Sequence, residues 1–246
     1  MSTEPRRFFV VHMQKTAGTT LRDRFRNTFD EAQIYPNSTD GPALHSVIAL
    51  SKLRERWEAR GDEMRLIAGH FPLSTTEVLG VPFVTLTVLR PPVERTLSYV
   101  RHTKKVAPGM ADLTMEAIYD DAFRFQGLVQ NHMVRMLSLT PAEMEQGDGA
   151  LSTVPYTPER LEMAKEGLAS LDLFGLQPRL DELFDELTER YGLDMGEPIR
   201  SNESPPEDPP PGLVERIIED NALDVALYDW AVQLYDERRA ARTTST

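Results

Sequence analysis

The feature that most narrows the fold is the alternation of short apolar runs with helical stretches in the first 105 residues. Arg7-Phe-Phe-Val-Val-His-Met13 carries aromatic and β-branched residues in an unbroken apolar run, the composition of a buried strand. A polar loop follows, and then Leu21, Phe25 and Phe29 fall four apart, which is a helical stripe. Thr19 or Thr20 is placed to cap that helix. Residues 30–60 read as a loop and a helix from Ala43 to Arg60. Met64 to Ala68 reads as a second strand, ending at Gly69-His70-Phe71-Pro72. Pro82 to Leu89 is the strongest strand pattern, ends at Arg90-Pro91-Pro92, and leads into a helix from Val93 to Lys104. Pro92 suits the first turn of that helix. Strands alternating with helices predict a mainly parallel sheet covered on both faces.

Beyond residue 111 the pattern is helical. The spacing predicts helices over Thr114–Phe125, Phe125–Leu139, Pro158–Ser170, Arg179–Tyr191 and Leu213–Arg239. One further strand is expected from Leu171 to Leu176, and Glu203–Pro211, acidic and rich in proline, reads as a loop. No internal repeat and no low-complexity stretch divides the chain. The expectation is a single domain over 1–246, with a core at 7–105 and a helical part at 106–246.

Charge is uneven. The chain has 27 Lys and Arg against 39 Asp and Glu, net −12, yet residues 1–110 carry 16 against 11. An acidic protein repels polyanions, which argues against a nucleic-acid partner. A basic first half within an acidic whole points to one local anion site there. The chain has no cysteine, which excludes a disulfide framework, a thiolate metal site and a cysteine nucleophile. The run Phe8–Val11 is too short for a signal-peptide core or a membrane span, so the expectation is a soluble, cytoplasmic protein.

The chemistry starts at Gln14-Lys-Thr-Ala-Gly-Thr-Thr20. A small-residue loop between a strand and a helix makes an anion cradle, because backbone N–H groups and the helix dipole face the ligand. Lys15 adds a full charge and the threonines add hydroxyl donors. The loop does not match the Walker pattern G-x-x-x-x-G-K-[ST], since Lys15 precedes Gly18. Arg90 leaves the C-terminal end of a strand, where open α/β sheets bind ligands. His70 has the neutral-range pKa of a general base. Among the other histidines, His12 reads as a packed residue inside the first strand. His45 and His102 read as surface, and His132 as a helix-packing residue that could otherwise face an acceptor. No His, Asp or Glu set has the H-E-x-x-H or EF-hand spacing, so no metal is expected.

The order Lys15-Thr16-Ala17-Gly18-Thr19-Thr20 after an apolar strand, and Arg90-Pro-Pro-Val-Glu-Arg-Thr-Leu-Ser98 further on, resemble two motifs. These are the 5′-phosphosulfate loop and the 3′-phosphate motif of the carbohydrate sulfotransferases, especially the heparan sulfate 2-O-sulfotransferase type and its bacterial relatives. The resemblance runs from about Arg7 to Asp236. It implies 3′-phosphoadenosine 5′-phosphosulfate as donor, held by Lys15 to Thr20, Arg90 and Ser98. It implies His70, in a Gly-His at a strand end, as the general base, and Lys15 as a catalytic cation. Arg200-Ser-Asn-Glu-Ser204 resembles the loop that closes over the nucleotide (200–211 here), with Asn202 and Ser204 as contacts. Phe174-Gly-Leu-Gln-Pro and the Asn221–Asp229 helix look like the family's later elements. Gln14 replaces a proline common in relatives, and Pro91 an acidic residue. The fold implied is a three-layer α/β domain, a P-loop-like parallel sheet flanked by helices, with a helical C-terminal part. The acceptor is expected to be a small molecule, lipid or glycan. The other readings are a P-loop kinase or phosphotransferase, which needs a Walker lysine and a magnesium-binding carboxylate at a strand end, and an inactive nucleotide-binding protein.

Overall fold

The computed structural model describes residues 6–41, 48–147, 149, 153–197 and 207–243. In chain order the first half runs β1 (Phe8–Val11), α1 (Gly18–Phe25), β2 (Ile34–Tyr35), α2 (Leu50–Arg60), β3 (Leu66–Ile67), α3 (Thr75–Leu79), β4 (Val84–Leu89) and α4 (Pro92–Val106). The second half runs α5 (Met115–Tyr119), α6 (Ala122–Arg124), a π turn (Phe125–Val129), α7 (His132–Ser138), α8 (Pro141–Gly147), α9 (Pro158–Ser170), β5 (Leu173–Leu176), α10 (Leu180–Tyr191), α11 (Leu213–Asp220) and α12 (Ala222–Thr243).

The five strands form one sheet in the order β2-β3-β1-β4-β5, with every pairing parallel. β1 is the centre, with Phe8 opposite Leu66 on one side and opposite Val84 on the other. Strand side chains alternate between the two faces. Phe8 and Val10 join Leu21 and Phe25 of α1 and Leu183, Phe184 and Leu187 of α10 in one core. Phe9 and Val11 join residues of α2, α7, α9 and α12 in the other. This is the three-layer α/β arrangement that the alternating pattern predicts. On β5, a Cβ at Gly175 would come 2.9 Å from the Leu183 side chain, so glycine lets α10 lie close on the sheet. Among the described residues no helix is long and apolar enough to cross a membrane.

The helix expected over Thr114–Phe125 is two short helices, α5 and α6, and three further elements depart from the sequence pattern. The helix expected over Phe125–Leu139 is a π turn, a break at Asn131 and α7. The helix expected over Leu213–Arg239 is two helices meeting at Asn221. The strand Ile34–Tyr35 falls in what reads as loop. The breaks at Asn131 and Asn221 have one cause. The Asn131 side-chain oxygen accepts from the Leu223 and Asp224 amides at 3.1 Å each. In return, Asp224 accepts from the Met133 and Val134 amides at 3.1 and 2.8 Å. Each helix thus supplies the cap for the other's unpaired first-turn amides. Asn131 takes the left-handed conformation this needs, with φ 41°.

Two arginines with no exposed surface, Arg95 and Arg135, flank the same node. Arg95 donates to the carbonyls of Leu128 and Val129, and Arg135 to those of Gln126 and Gly127. Together they satisfy the carbonyls of the π turn. Burial raises the Asp224 pKa, and the nearby Arg95 guanidinium works against that rise. Asp224→Ala would leave two buried guanidinium groups without a counter-charge and the first-turn amides of α7 uncapped. The expected loss is about 3–5 kcal/mol of stability, read from the midpoint and slope of urea denaturation. A loss below about 1 kcal/mol contradicts the node's importance.

Candidate functional site

The site lies at the C-terminal edge of the sheet, where β1 meets β3 and β4. β1 gives way to the loop 12–17, β3 to Gly69 and His70, and β4 to Arg90. This is the switch point at which the chain, having gone to one side of β1 for β2 and β3, crosses to the other for β4.

The loop is turned by two left-handed residues that are not glycine, Lys15 (φ 66°) and Ala17 (φ 74°). Such conformations cost energy and gather at binding sites. Ala17, rather than Thr19 or Thr20, is the N-cap of α1, and no side chain bonds to that end. The first helical bond runs from the Leu21 amide to the Ala17 carbonyl. Among the described residues the amides of Gly18, Thr19 and Thr20 therefore have no backbone partner, and no acidic residue stands in the first turn. Such an end, with free amides and no acidic residue beside them, is electrostatically suited to an anion. The threonines do not contribute alike. Thr16 is buried and spends its hydroxyl on the Met13 carbonyl at 2.9 Å, so it shapes the loop. Thr19 is exposed and Thr20 half-buried.

Positive charge converges here. Partial burial and the neighbouring Arg90 lower the Lys15 pKa. Arg90 reaches across the loop, its guanidinium 3.3 Å from the Lys15 carbonyl and 3.6 Å from the Glu94 carboxylate. Ser98 is half-buried on α4. Arg90, Glu94, Ser98 and His102 recur every four residues along one face. The charge of Lys15 lowers the His102 pKa, after burial, so that face fronts the loop. His102 is exposed, as expected, yet it borders the site. The sequence reading also passed over Arg22, whose charge lowers the pKa of both His12 and His70. The signal available was its position one helical turn after Gly18.

His12 is not inside the first strand. It follows β1, half-buried, and its ring lies 4.1 Å from that of His70, centroid to centroid. Its Nδ1 donates to the Ala68 carbonyl at 3.2 Å. His70 Nδ1 donates to the His12 carbonyl at 2.7 Å. Each bond places the neutral ring's proton on Nδ1 and leaves the lone pair on Nε2. Burial lowers both pKa values, so both rings are neutral at pH 7. Asn202, Ser204 and His45 lie outside the described residues, as do residues 200–206 of the expected closing loop.

No protein-family model and no curated protein matches the sequence. Among solved structures, the chain is similar to the sulfotransferase from Alicyclobacillus acidocaldarius, at 15% identity over 93% of this chain and 96% of that one, with a TM-score of 0.49.

Gly18 and His12 are sterically coupled. A Cβ at Gly18 would sit 1.6 Å from His12 Nε2, an overlap that only displacement of the ring or the helix can relieve. Gly18→Ala should cost about 1–3 kcal/mol. Adding His12→Ala should return part of that loss, giving a positive coupling in a double-mutant cycle by denaturant unfolding. Additive losses would show that the ring does not set the need for glycine.

Proposed function

We propose that this protein is a sulfotransferase that uses 3′-phosphoadenosine 5′-phosphosulfate as donor and a hydroxyl or amine as acceptor. The observation that carries the reading is the meeting, at one sheet edge, of a loop with free helix-end amides and Lys15, a cationic Arg90, and a neutral His70 whose Nε2 holds a lone pair. A kinase would need a metal-binding carboxylate at a strand end; His12, His70 and Arg90 stand at these ends instead.

In this reading the amides of Gly18 to Thr20 and the Lys15 ammonium hold the 5′-phosphosulfate. Arg90 and Ser98 hold the 3′-phosphate and so fix the sulfuryl group for in-line attack. The acceptor oxygen forms a bond to sulfur while the bond from sulfur to the bridging phosphate oxygen breaks. The electron pair stays on that oxygen, where Lys15 offsets the charge. His70 Nε2 takes the acceptor's proton. The products are a sulfate ester, or a sulfamate from an amine, and 3′-phosphoadenosine 5′-phosphate. The positive charge comes from Lys15 and the helix end, so the reading calls for no metal. Asn202 and Ser204 are proposed contacts to the nucleotide, and a neutral or cationic small molecule, lipid or glycan is the proposed acceptor, at a cytoplasmic location.

Arg90→Ala should weaken binding of 3′-phosphoadenosine 5′-phosphate by about 2–5 kcal/mol, and adenosine 5′-phosphosulfate should be a poor donor. Equal affinity in wild type and variant by calorimetry removes Arg90 from the 3′-phosphate site.

His70→Ala should leave donor affinity nearly unchanged and lower turnover by about 10²–10⁴-fold. Burial lowers the His70 pKa below the ordinary imidazole value. The wild-type rate should therefore rise with pH through an ionisation below that value and be level above it. A variant that retains this step, or most of the rate, assigns the base elsewhere.

A further inference from the structure

A third histidine stands beside the pair at the site. His132, the first residue of α7, is 1% exposed. It is within electrostatic reach of His70 and His12, both of which act on it. The segment after His70 is tied to the same helix, the Leu73 amide donating to the Met136 carbonyl at 3.0 Å.

The protonation of His132 follows from its partner. Arg135 Nη2 lies 3.0 Å from His132 Nδ1. A guanidinium only donates, so Nδ1 is the acceptor and holds the lone pair. Burial, with Arg135 and Arg95 next in effect, lowers the His132 pKa well below the ordinary value, and the ring is neutral. Its one proton is therefore on Nε2. That N–H is buried and has no hydrogen-bond partner among the described residues. A buried donor without a partner is costly, and its persistence calls for an occupant that accepts from it. His70 and His12 have the opposite pattern, with the proton on Nδ1 and the lone pair on Nε2. α7 thus carries a buried donor, and the end of β3, which acts on it electrostatically, carries an acceptor.

Resting on the sulfotransferase reading, we infer that His132 is an acceptor-binding residue, whose Nε2–H donates to the acceptor oxygen while that oxygen's own proton is directed to His70 Nε2. A hydroxyl fits this pair because it donates once and accepts on two lone pairs. The two bonds leave a lone pair for attack on sulfur. A protonated amine has no lone pair to accept with, so the site favours hydroxyl acceptors.

Water is the simplest such acceptor and serves as the probe. Release of labelled sulfate from 3′-phosphoadenosine 5′-phosphosulfate is measured without any other acceptor, for wild type, His132→Leu, His132→Gln and His70→Ala. Donor affinity is measured by calorimetry and folding by thermal melting. His132→Leu should lower the hydrolysis rate about tenfold or more at unchanged donor affinity. His132→Gln, which keeps a donor, should recover most of the rate. In both variants Arg135 Nη2 keeps its bond to the Gly127 carbonyl. If wild type neither binds nor hydrolyses the donor, the sulfotransferase reading falls and this inference with it; if His70→Ala is as active as wild type, the base lies elsewhere and the pairing of His132 with His70 falls. If those tests succeed but His132→Leu keeps the wild-type rate, or His132→Gln is no better than His132→Leu, the role of His132 alone falls. Should His132→Leu not fold, the unaltered protein decides. Nitrogen-15 correlation spectra of its histidine rings should show His132 protonated on Nε2, and a proton on Nδ1 overturns the inference.

Discussion

Parallel pairing of β1 on both of its edges is the constraint on which the rest depends. Because β3 and β4 run in its direction, the three strands end on the same side of the sheet. Most groups of the proposed chemistry follow one of these ends: His12 to Thr20 come after Val11, His70 after Ile67 and Arg90 after Leu89, whereas those on α4 and α7, with Asn202 and Ser204, do not. The backbone is already committed to ladder bonds up to Val11, Ile67 and Leu89. The polar residues that follow are therefore held by the sheet even though they stand in loops. The apolar residues on both faces of β1, Phe8 and Val10 against one helical layer and Phe9 and Val11 against the other, keep that central strand in register.

A second constraint acts on the helical layer. The exchange of caps between Asn131 and Asp224 fixes where α7 begins relative to α12. Arg135 works in two directions from that frame, satisfying carbonyls of the π turn and setting the tautomer of His132. The structural network and the proposed acceptor contact thus share a residue. The packing that orders the second half of the chain also decides which nitrogen of His132 carries a proton.

Charge follows the same division. The helices of the second half carry most of the acidic surplus, whereas the loop 12–18 is faced by Lys15, Arg22 and Arg90, with Glu94 the carboxylate paired there. Lys15 and Arg90 oppose each other, and the loop holds them together in left-handed backbone. Both features make binding of an anion favourable, because it relieves repulsion between cations already positioned.

Much of this was legible in the chain. The alternating apolar runs specified β1, β3, β4, β5 and the parallel sheet, because buried strands need continuous β-branched and aromatic residues and crossovers need helices. Pro158–Ser170 was readable to its end residues, and Pro92 marked the start of α4. Lys15, Gly18, His70 and Arg90 could be picked out since their residue types follow strand ends. What local pattern could not supply was any partner distant in sequence. Asn131 and Asn221 look like ordinary helix residues until a second helix brings amides 90 positions away into reach. Ile34 and Tyr35 form a strand only because β3 lies beside them. His12 reads as core because its burial depends on where α1 and β3 pass. The sequence by itself determined the layers, the edge of the sheet at which the proposed chemistry gathers and the charge of its loop, all properties of residues near in sequence. Only the tertiary structure decided the pairing of His12 with His70, the approach of His132 and the tautomer of each ring, because hydrogen bonds between remote segments set where an imidazole holds its proton.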